Sequence, residues 1–486
     1  MRLLVFLHRW LGIFTCLMFL DWFASGIVMM YAGMPELSEA DRLAALPALD
    51  ATRCQLSAKE AIARAALSGV ESVKLTSLFG RPAWRILAFG AGWRTVFADD
   101  GEVESAFSAE QARASLQPLV APGAHPRLLE TRTEPDQWTL EGDYGELWPL
   151  YHFTLDDPAR TELYVASATG EVVLRTTARN RAVAWMGAIP HWIYWASIRR
   201  HPEFWRQLVI WLAGIGCAVS LLGITVGIWR ISVPQFAPGR ERGRGWSPFV
   251  GVMRWHHWAG LLFGVIAFTW VFSGLLSMEP GSFSAGTAPR YEQAEAFSGP
   301  ELDPTAWDAP PARLLAARPF VKEVQLHQVA GKPYYVLAES GRLHELADNS
   351  GRLVEPFSRD LLFAAAQRAV PQGKLIEEAL LQDYDAYYYG RDGSRALPIW
   401  RLKFDDPRSS WLYVDPQRGA VAARYDRSGR IARWLYHGLH SWDFPFLWRR
   451  RPAWDMVVMA LNGGGVLLSG TGVVIGFRRL RASWRR

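Results

Sequence analysis

Two histidines head similar apolar runs. His8 opens HRWLGIFTCLMFLDWFASGIVMM (8–30) and His256 opens HHWAGLLFGVIAFTWVFSGLLSM (256–278). An offset of 248 lays His8 on His256, Trp10 on Trp258, Gly12 on Gly260, Trp22 on Trp270, Ser25 on Ser273, Gly26 on Gly274 and Met30 on Met278. A histidine in such a place has three ordinary uses. Its neutral ring can ligate a metal, its ring nitrogens can hydrogen-bond, and its amphipathic ring can anchor a helix at a membrane interface. Two further histidines, His191 and His440, precede two other apolar runs and correspond at an offset of 249. His257 and His437 lack a partner, because the other half has Arg9 and Ala188 at those places.

The elements that must carry these residues are membrane helices. Trp10–Met30, Leu208–Trp229, Trp258–Met278 and Met456–Phe477 are each long enough, as helix, to cross a hydrocarbon core of about 30 Å. The first run follows Arg2 and Arg9, as a signal peptide would, but it lacks a small-x-small cleavage site and has a twin inside the chain. Both are therefore expected to be permanent helices. Arginines set the expected orientation: Arg240, Arg242, Arg244 and Arg254 lie between the second and third runs, and Arg478, Arg479, Arg481, Arg485 and Arg486 follow the fourth. The positive-inside rule then places both termini in the cytoplasm and both long intervening segments outside. The net charge of +6 reflects these arginines and points away from nucleic acid. Of three cysteines, Cys16 and Cys217 fall in spans and Cys54 stands alone outside, so no disulfide framework is expected.

The correspondence runs on through the chain. Asp157-Pro158 matches Asp406-Pro407, Leu163-Tyr164-Val165 matches Leu412-Tyr413-Val414, and Trp185 matches Trp434. Ser220, Gly223, Gly227 and Arg230 match Ser469, Gly472, Gly476 and Arg479. Each half reads as helix, external domain, helix, a parallel repeat with a pseudo-two-fold axis along the membrane normal. Helical spacing in LSAKEAIARAAL, where Ser57 is a cap candidate with Glu60 three residues on, followed by short β-prone runs such as SVKLTSLFGRPAWRILAF and LYVASATGEVVLR, predicts α+β external domains. The expected fold is an integral membrane bundle of four transmembrane helices with two extracytoplasmic α+β domains, internally duplicated. The expected boundaries are helix 1 at 8–32, domain 1 at 33–203, helix 2 at 204–230, a cytoplasmic linker at 231–255, helix 3 at 256–278, domain 2 at 279–452, helix 4 at 453–478 and a basic tail at 479–486.

The helix, strand, turn, strand order of each external domain resembles the PepSY module. Together with the HRWLG-type and TG-type spans, the chain resembles the PepSY-associated transmembrane family, which includes iron-regulated inner-membrane proteins and ferric-siderophore reductases. That resemblance implies b-type haem, two copies for two sites, held by membrane histidines. His8, His256, His191 and His440 occupy the matching places, with His257 and His437 as secondary candidates. A six-coordinate haem takes one neutral imidazole on each side. A pseudo-two-fold axis would supply one from each half, pairing His8 with His256 and His191 with His440. Gly12 and Gly260, one turn beyond their histidines, would let a flat macrocycle approach, and Trp22 and Trp270 would border the space between the sites. No Cys-x-x-Cys-His stands ready for covalent haem attachment.

The resemblance further implies a bacterial inner-membrane protein that takes electrons from an unidentified donor and reduces a ferric siderophore or another iron chelate at the periplasmic face, a membrane-bound ferric-chelate oxidoreductase. The alternative is a non-enzymatic, membrane-anchored PepSY protein that binds or assembles a partner. Membrane lipid is a partner under both readings. Interface anchoring or hydrogen bonding accounts for any single histidine more readily than ligation does, and Gly-x-x-x-Gly runs more often pack helices than make room for cofactors. The aromatic stretch QDYDAYYYGRDGSRALPIW and its partner EPDQWTLEGDYGELWPLY read as strands with cross-strand aromatic pairs before they read as a chelate site. The Asp-Asp-Pro pairs at 156–158 and 405–407 read as turns. Asp21, an acid inside the first run where the second copy has Thr269, is expected to face the bundle interior, where it relays a proton, bonds Ser25 or meets a cofactor carboxylate. No Walker A, dinucleotide, Gly-x-Ser-x-Gly or His-Glu-x-x-His pattern occurs.

Overall fold

The computed structural model describes residues 1–486 apart from 121–122, 141, 143, 232–245, 281–289, 300–305, 317, 341–344, 391–394 and 486. Arg240, Arg242, Arg244, His344 and Arg486 lie outside the described residues. The chain divides into two units, one of residues 1–34, 182–286 and 428–486, the other of 35–181 and 287–427.

Among the described residues the first unit holds four helices long and apolar enough to cross a membrane: Arg2–Met29, Pro202–Trp229, Val252–Ser277 and Ala453–Trp484. This is a multi-pass membrane protein. Each of the four begins before its apolar run. Arg2–Met29 starts eight residues ahead of Trp10, and Val252–Ser277 six ahead of Trp258, so His8 and His256 lie within helices and not at their mouths. Hydropathy marks the hydrocarbon-facing stretch, whereas backbone hydrogen bonding continues through flanking polar turns.

The first span packs on the fourth, the second on the third, and the third on the fourth. Phe19, Phe23, Ala213, Ala267, Trp270 and Val271 form the buried centre. Glycines let the backbones close up: a Cβ on Gly464 would lie 2.4 Å from the Phe263 ring, and one on Gly465 would lie 2.5 Å from Phe23.

Among the described residues of the second unit, alternating and β-branched runs form fifteen strands. β1 (Val70–Leu78), β2 (Arg81–Ala88), β3 (Gly92–Phe97) and β4 (Val103–Glu104) are followed by β5 (Pro126–Arg132), β6 (Leu150–Leu155), β7 (Glu162–Ala166) and β8 (Val172–Thr176). After the third span come β9 (Val321–Val329), β10 (Lys332–Glu339) and β11 (Glu345–Ala347), then β12 (Leu375–Leu381), β13 (Ile399–Phe404), β14 (Trp411–Asp415) and β15 (Ala420–Tyr425). β5 to β8 and β12 to β15 each make a four-stranded antiparallel sheet in chain order. The other seven form one sheet, ordered β11-β10-β9-β1-β2-β3-β4.

β1 meets β9 antiparallel with Lys74 opposite Gln325. These two residues also hold the same place in VESVKLTSLFGRP and VKEVQLHQVAGKP, which align Val70 with Val321, Gly80 with Gly331 and Pro82 with Pro333. Like residues therefore face each other, and the junction is locally two-fold. The core beneath it draws on both segments, with Ala61 and Ile62 of the helix Ala58–Ala65 beside Trp84, Val324, Tyr335 and Leu314. Ser57 and Glu60 close a capping box on that helix.

Over the same junction lies a charge cluster. Lys74 reaches Glu323 at 3.2 Å and Glu171 at 3.4 Å, Arg42 pairs with Glu323, and the wholly buried Arg85 reaches Glu171 at 3.1 Å.

The aromatic stretches are structural in their contacts. Asp385 accepts bonds from the backbone N–H of Tyr387 and Tyr388 and from the Tyr413 hydroxyl, and Asp136 accepts from Trp138 N–H and the Tyr164 hydroxyl. Asp157 and Asp406 accept backbone N–H bonds from Thr161 and Ser410, and so close the β6–β7 and β13–β14 turns.

Candidate functional site: two histidine pairs in the membrane unit

His8 on the first span and His256 on the third face each other with ring centroids 6.4 Å apart. His191 on the short helix Ala188–Trp192 and His440 on Leu439–Ser441 do the same at 6.2 Å. Both pairs join the two halves of the chain. His191 and His440 reach into the bundle: the His191 ring bonds the Trp22 carbonyl oxygen at 3.1 Å, fourteen residues along the first span from His8, or roughly 21 Å of helix.

All four rings are held alike. Nδ1 of His8 donates to the Val219 carbonyl and Nδ1 of His256 to the Leu468 carbonyl, both at 3.2 Å. Nδ1 of His191 donates to Trp22 O at 3.1 Å and Nδ1 of His440 to Trp270 O at 3.2 Å. A carbonyl oxygen can only accept, so in each neutral ring the proton sits on Nδ1 and Nε2 keeps its lone pair. Holding one nitrogen on a carbonyl while the other is left for a metal is the usual support of a ligating histidine.

Serines of the repeated Trp-x-x-Ser-Gly motif complete the His191/His440 pair. Ser25 Oγ lies 3.1 Å from His191 Nδ1, and Ser273 Oγ lies 3.0 Å from His440 Nδ1. Ser25 also donates to the Asp21 carbonyl oxygen at 2.6 Å, so it contacts the Asp21 backbone.

Glycines give each ring its room. A Cβ on Gly223 would lie 2.8 Å from the His8 ring, and those on Gly472, Gly26 and Gly274 would lie 3.5, 3.6 and 3.8 Å from the rings of His256, His191 and His440. Gly12 opens onto empty space and, with Gly260, lines a cavity of about 480 Å³ beside His8 and His256. Trp270 is buried and leads from Phe23, 5.7 Å away ring to ring, to the His440 contact. Its indole N–H has no hydrogen-bond partner among the described residues. Trp22 is half-buried and packs edge-on to Phe19 at 6.3 Å.

The secondary candidates differ from these. His257 has both nitrogens engaged, Nδ1 with Ser247 Oγ at 2.8 Å and Nε2 with Gly227 O at 2.9 Å, so the carbonyl takes up its Nε2–H. His437 lies in the π-helical turn Trp434–Gly438 against Tyr436, and Tyr436 stacks on His440. In the strand-rich unit, His152 stacks on Tyr164 and bonds Glu162, while His327 bonds the Arg418 carbonyl.

Among the described residues no group of three or more His, Cys, Asp or Glu side chains is arranged to hold a bare metal ion. Paired imidazoles suit an ion whose other ligands come from a macrocycle. With metal–imidazole bonds of about 2 Å and a ring centroid roughly 1 Å behind its nitrogen, two imidazoles on opposite sides of one iron have centroids roughly 6 Å apart. Both pairs meet that separation, and the four residues fit a pair of bis-histidine haems.

Sequence spacing found the pairing but missed what orients it. The repeated Ser25 and Ser273 were visible signals. The carbonyls of Val219, Leu468, Trp22 and Trp270 carry no side-chain signature.

Residues 253–486 match the family model described as the PepSY-associated TM region. Through this segment the chain belongs to the PepSY-associated transmembrane family. The matched segment of this PepSY-associated protein holds the third and fourth spans with His256, His257, His437 and His440, whereas His8 and His191 lie before it. No curated protein matches the chain.

Proposed function

We propose that this PepSY-associated protein is a duplicated, haem-containing electron carrier of the bacterial inner membrane that reduces a ferric siderophore or another ferric chelate at the periplasmic face. The observation that carries the reading is the pair of cross-half histidine contacts, at 6.4 and 6.2 Å, with each Nδ1 bonded to a carbonyl. The matched Ser, Gly and carbonyl partners of the two halves support the duplication. Haem, when bound, supplies a one-electron ferric/ferrous couple.

The chain's own residues do the rest. His8 and His256 hold the inner site, and His191 and His440 hold the outer one, each neutral and fixed in tautomer. The buried aromatic centre of Phe19, Phe23 and Trp270 excludes water between them. With haem bound, the His8/His256 end would be the side that meets a cytoplasmic donor and the His191/His440 end the side that meets the ferric chelate. There a ferric chelate takes one electron and becomes ferrous, which weakens its hold by hard oxygen ligands and frees the iron. Both termini are cytoplasmic in this reading, and the two PepSY-like domains are periplasmic.

The test is the reduced-minus-oxidised spectrum of the purified full-length protein with its haem stoichiometry, followed by reoxidation with a ferric chelate. A b-type spectrum of two low-spin haems, reoxidised as ferrous iron appears, is expected. Absence of haem from protein made under haem-replete conditions would overturn the reading in favour of a PepSY binding or assembly protein.

A further inference from the structure

The inner cavity has a charge pattern that histidine ligation alone does not explain. Its wall is largely apolar and glycine-rich, and among the described residues no carboxylate lines it while three arginines do: Arg9, Arg230 and Arg479. Arg230 and Arg479 end two matched helix faces. Ser220, Gly223, Gly227 and Arg230 of the second span's face, and Ser469, Gly472, Gly476 and Arg479 of the fourth, all line this cavity. These positions step by three or four residues, so each set forms one stripe. The His8 ring packs on Gly223 and the His256 ring on Gly472. Each arginine stands seven residues further on, about 10 Å along the axis, exposed on the wall of the same cavity.

Orientation by positive charge would explain arginines at these ends of the spans. It gives no reason for them to share a wall with the two histidines. Among the described residues neither Arg230 nor Arg479 has an acidic partner, and Arg230 only covers the Trp229 ring at 4.5 Å. Arg230 and Arg479, one from each half, thus share a cavity wall with both histidines. Guanidinium groups recognise carboxylates through paired N–H donors.

We propose that Arg230 and Arg479 are the carboxylate clamp of the inner site, each taking one of the two acid groups on a single edge of the haem. This rests on the reading that His8 and His256 hold haem. It fixes the macrocycle's rotation about the histidine axis, with its acid edge toward the cytoplasmic ends of the second and fourth spans.

The experiment separates this inference from the reading beneath it. Full-length His440→Ala protein, which leaves only the inner site to be scored, is freed of haem and placed in nanodiscs of neutral lipid. It is titrated with ferric haem and with the haem dimethyl ester, whose acid groups are neutral, and low-spin absorption is followed. The parent is expected to prefer the acid form by about tenfold or more, since a hydrogen bond to a charged group is of that order. Arg230→Gln/Arg479→Gln removes the preference, either single variant leaves part of it, and Arg230→Lys/Arg479→Lys restores part because charge returns without the fork. A double Gln variant that kept the parent's preference would overturn the clamp while leaving histidine ligation standing. A parent that bound neither compound would overturn both. If the Gln variants lost haem only in nanodiscs of anionic lipid, the arginines would serve lipid phosphates and the clamp would fall.

Discussion

The rings of His191 and His440 lie 6.2 Å apart, and each is tied to the backbone of the span beside it, at Trp22 and Trp270. Neither histidine belongs to a spanning helix, yet both are positioned by one. Removing either ring should therefore remove the same haem. His191→Ala or His440→Ala is expected to halve the low-spin haem content and to spare electron entry while blocking delivery to a ferric chelate. His8→Ala or His256→Ala should also halve it but abolish entry. Haem per protein and reduction rate, measured at matched protein levels, check this. Four variants with wild-type spectra would sink the assignment.

His257 offers a contrast. Its two nitrogens bond Ser247 and Gly227 and have none to spare. His257→Ala should keep both haems and lower stability by about 1–3 kcal/mol, because two polar partners lose their bonds. A thermal melt moved down with an unchanged haem spectrum is the expected result. Loss of a haem would make His257 a ligand after all.

Gly223 sets the seat of His8. A methyl group there would press on the imidazole at 2.8 Å, closer than packed atoms come. Gly223→Ala should shift the ring and weaken inner haem binding by about 10- to 100-fold, the range seen when a ligand's support is disturbed. Gly214→Ala, on the same span with nothing within 4 Å of the new atom, is the control and should bind normally. Equal effects at both positions would point to helix propensity and not to the histidine seat.

Much of this site was legible from spacing. A repeat that copies His8 to His256 and His191 to His440 already says which rings are equivalent. The structure sets these corresponding rings side by side. The reach of His191 to Trp22 was not legible, because a backbone carbonyl leaves no mark in a sequence. Helix lengths were underread for a related reason: the turns before Trp10 and Trp258 are polar or mixed and hold no hydropathy signal. In the second unit, the strand runs of each half announced sheets, but nothing in either run said that β1 would join β9. The alternation of a strand specifies its faces, whereas its edge bonds are the same for every residue. Arg42, Lys74, Arg85, Glu171 and Glu323 escaped notice for that reason, since only this junction gathers charges so far apart in the chain.

That cluster makes the last prediction. Burial by itself raises the Glu171 carboxyl, but the charges of Lys74, Arg85 and Arg42 outweigh it and hold the group down at about 2, against an ordinary 4.5. Glu323 is lowered in the same way, with burial opposed by Arg42 and Lys74. A depressed carboxyl stabilises the fold fully above its unfolded value, and the contribution is lost as pH falls through the folded one. Glu171→Gln should therefore cost stability at neutral pH, where it strips the buried Arg85 of its ion partner. The expected loss is about 2 kcal/mol, less than for a fully enclosed pair because 22 % of the Glu171 side chain remains open to water. The gap between wild type and variant should narrow below about pH 4.5 and be nearly closed at pH 2, where about half of the native carboxyl is already protonated. Unfolding of the full-length protein, followed by tryptophan fluorescence across that range, reads the effect through Trp84 in the adjoining core. A gap that stayed constant from pH 7 to pH 2 would mean that the Gln variant suffers from lost packing and not from lost charge.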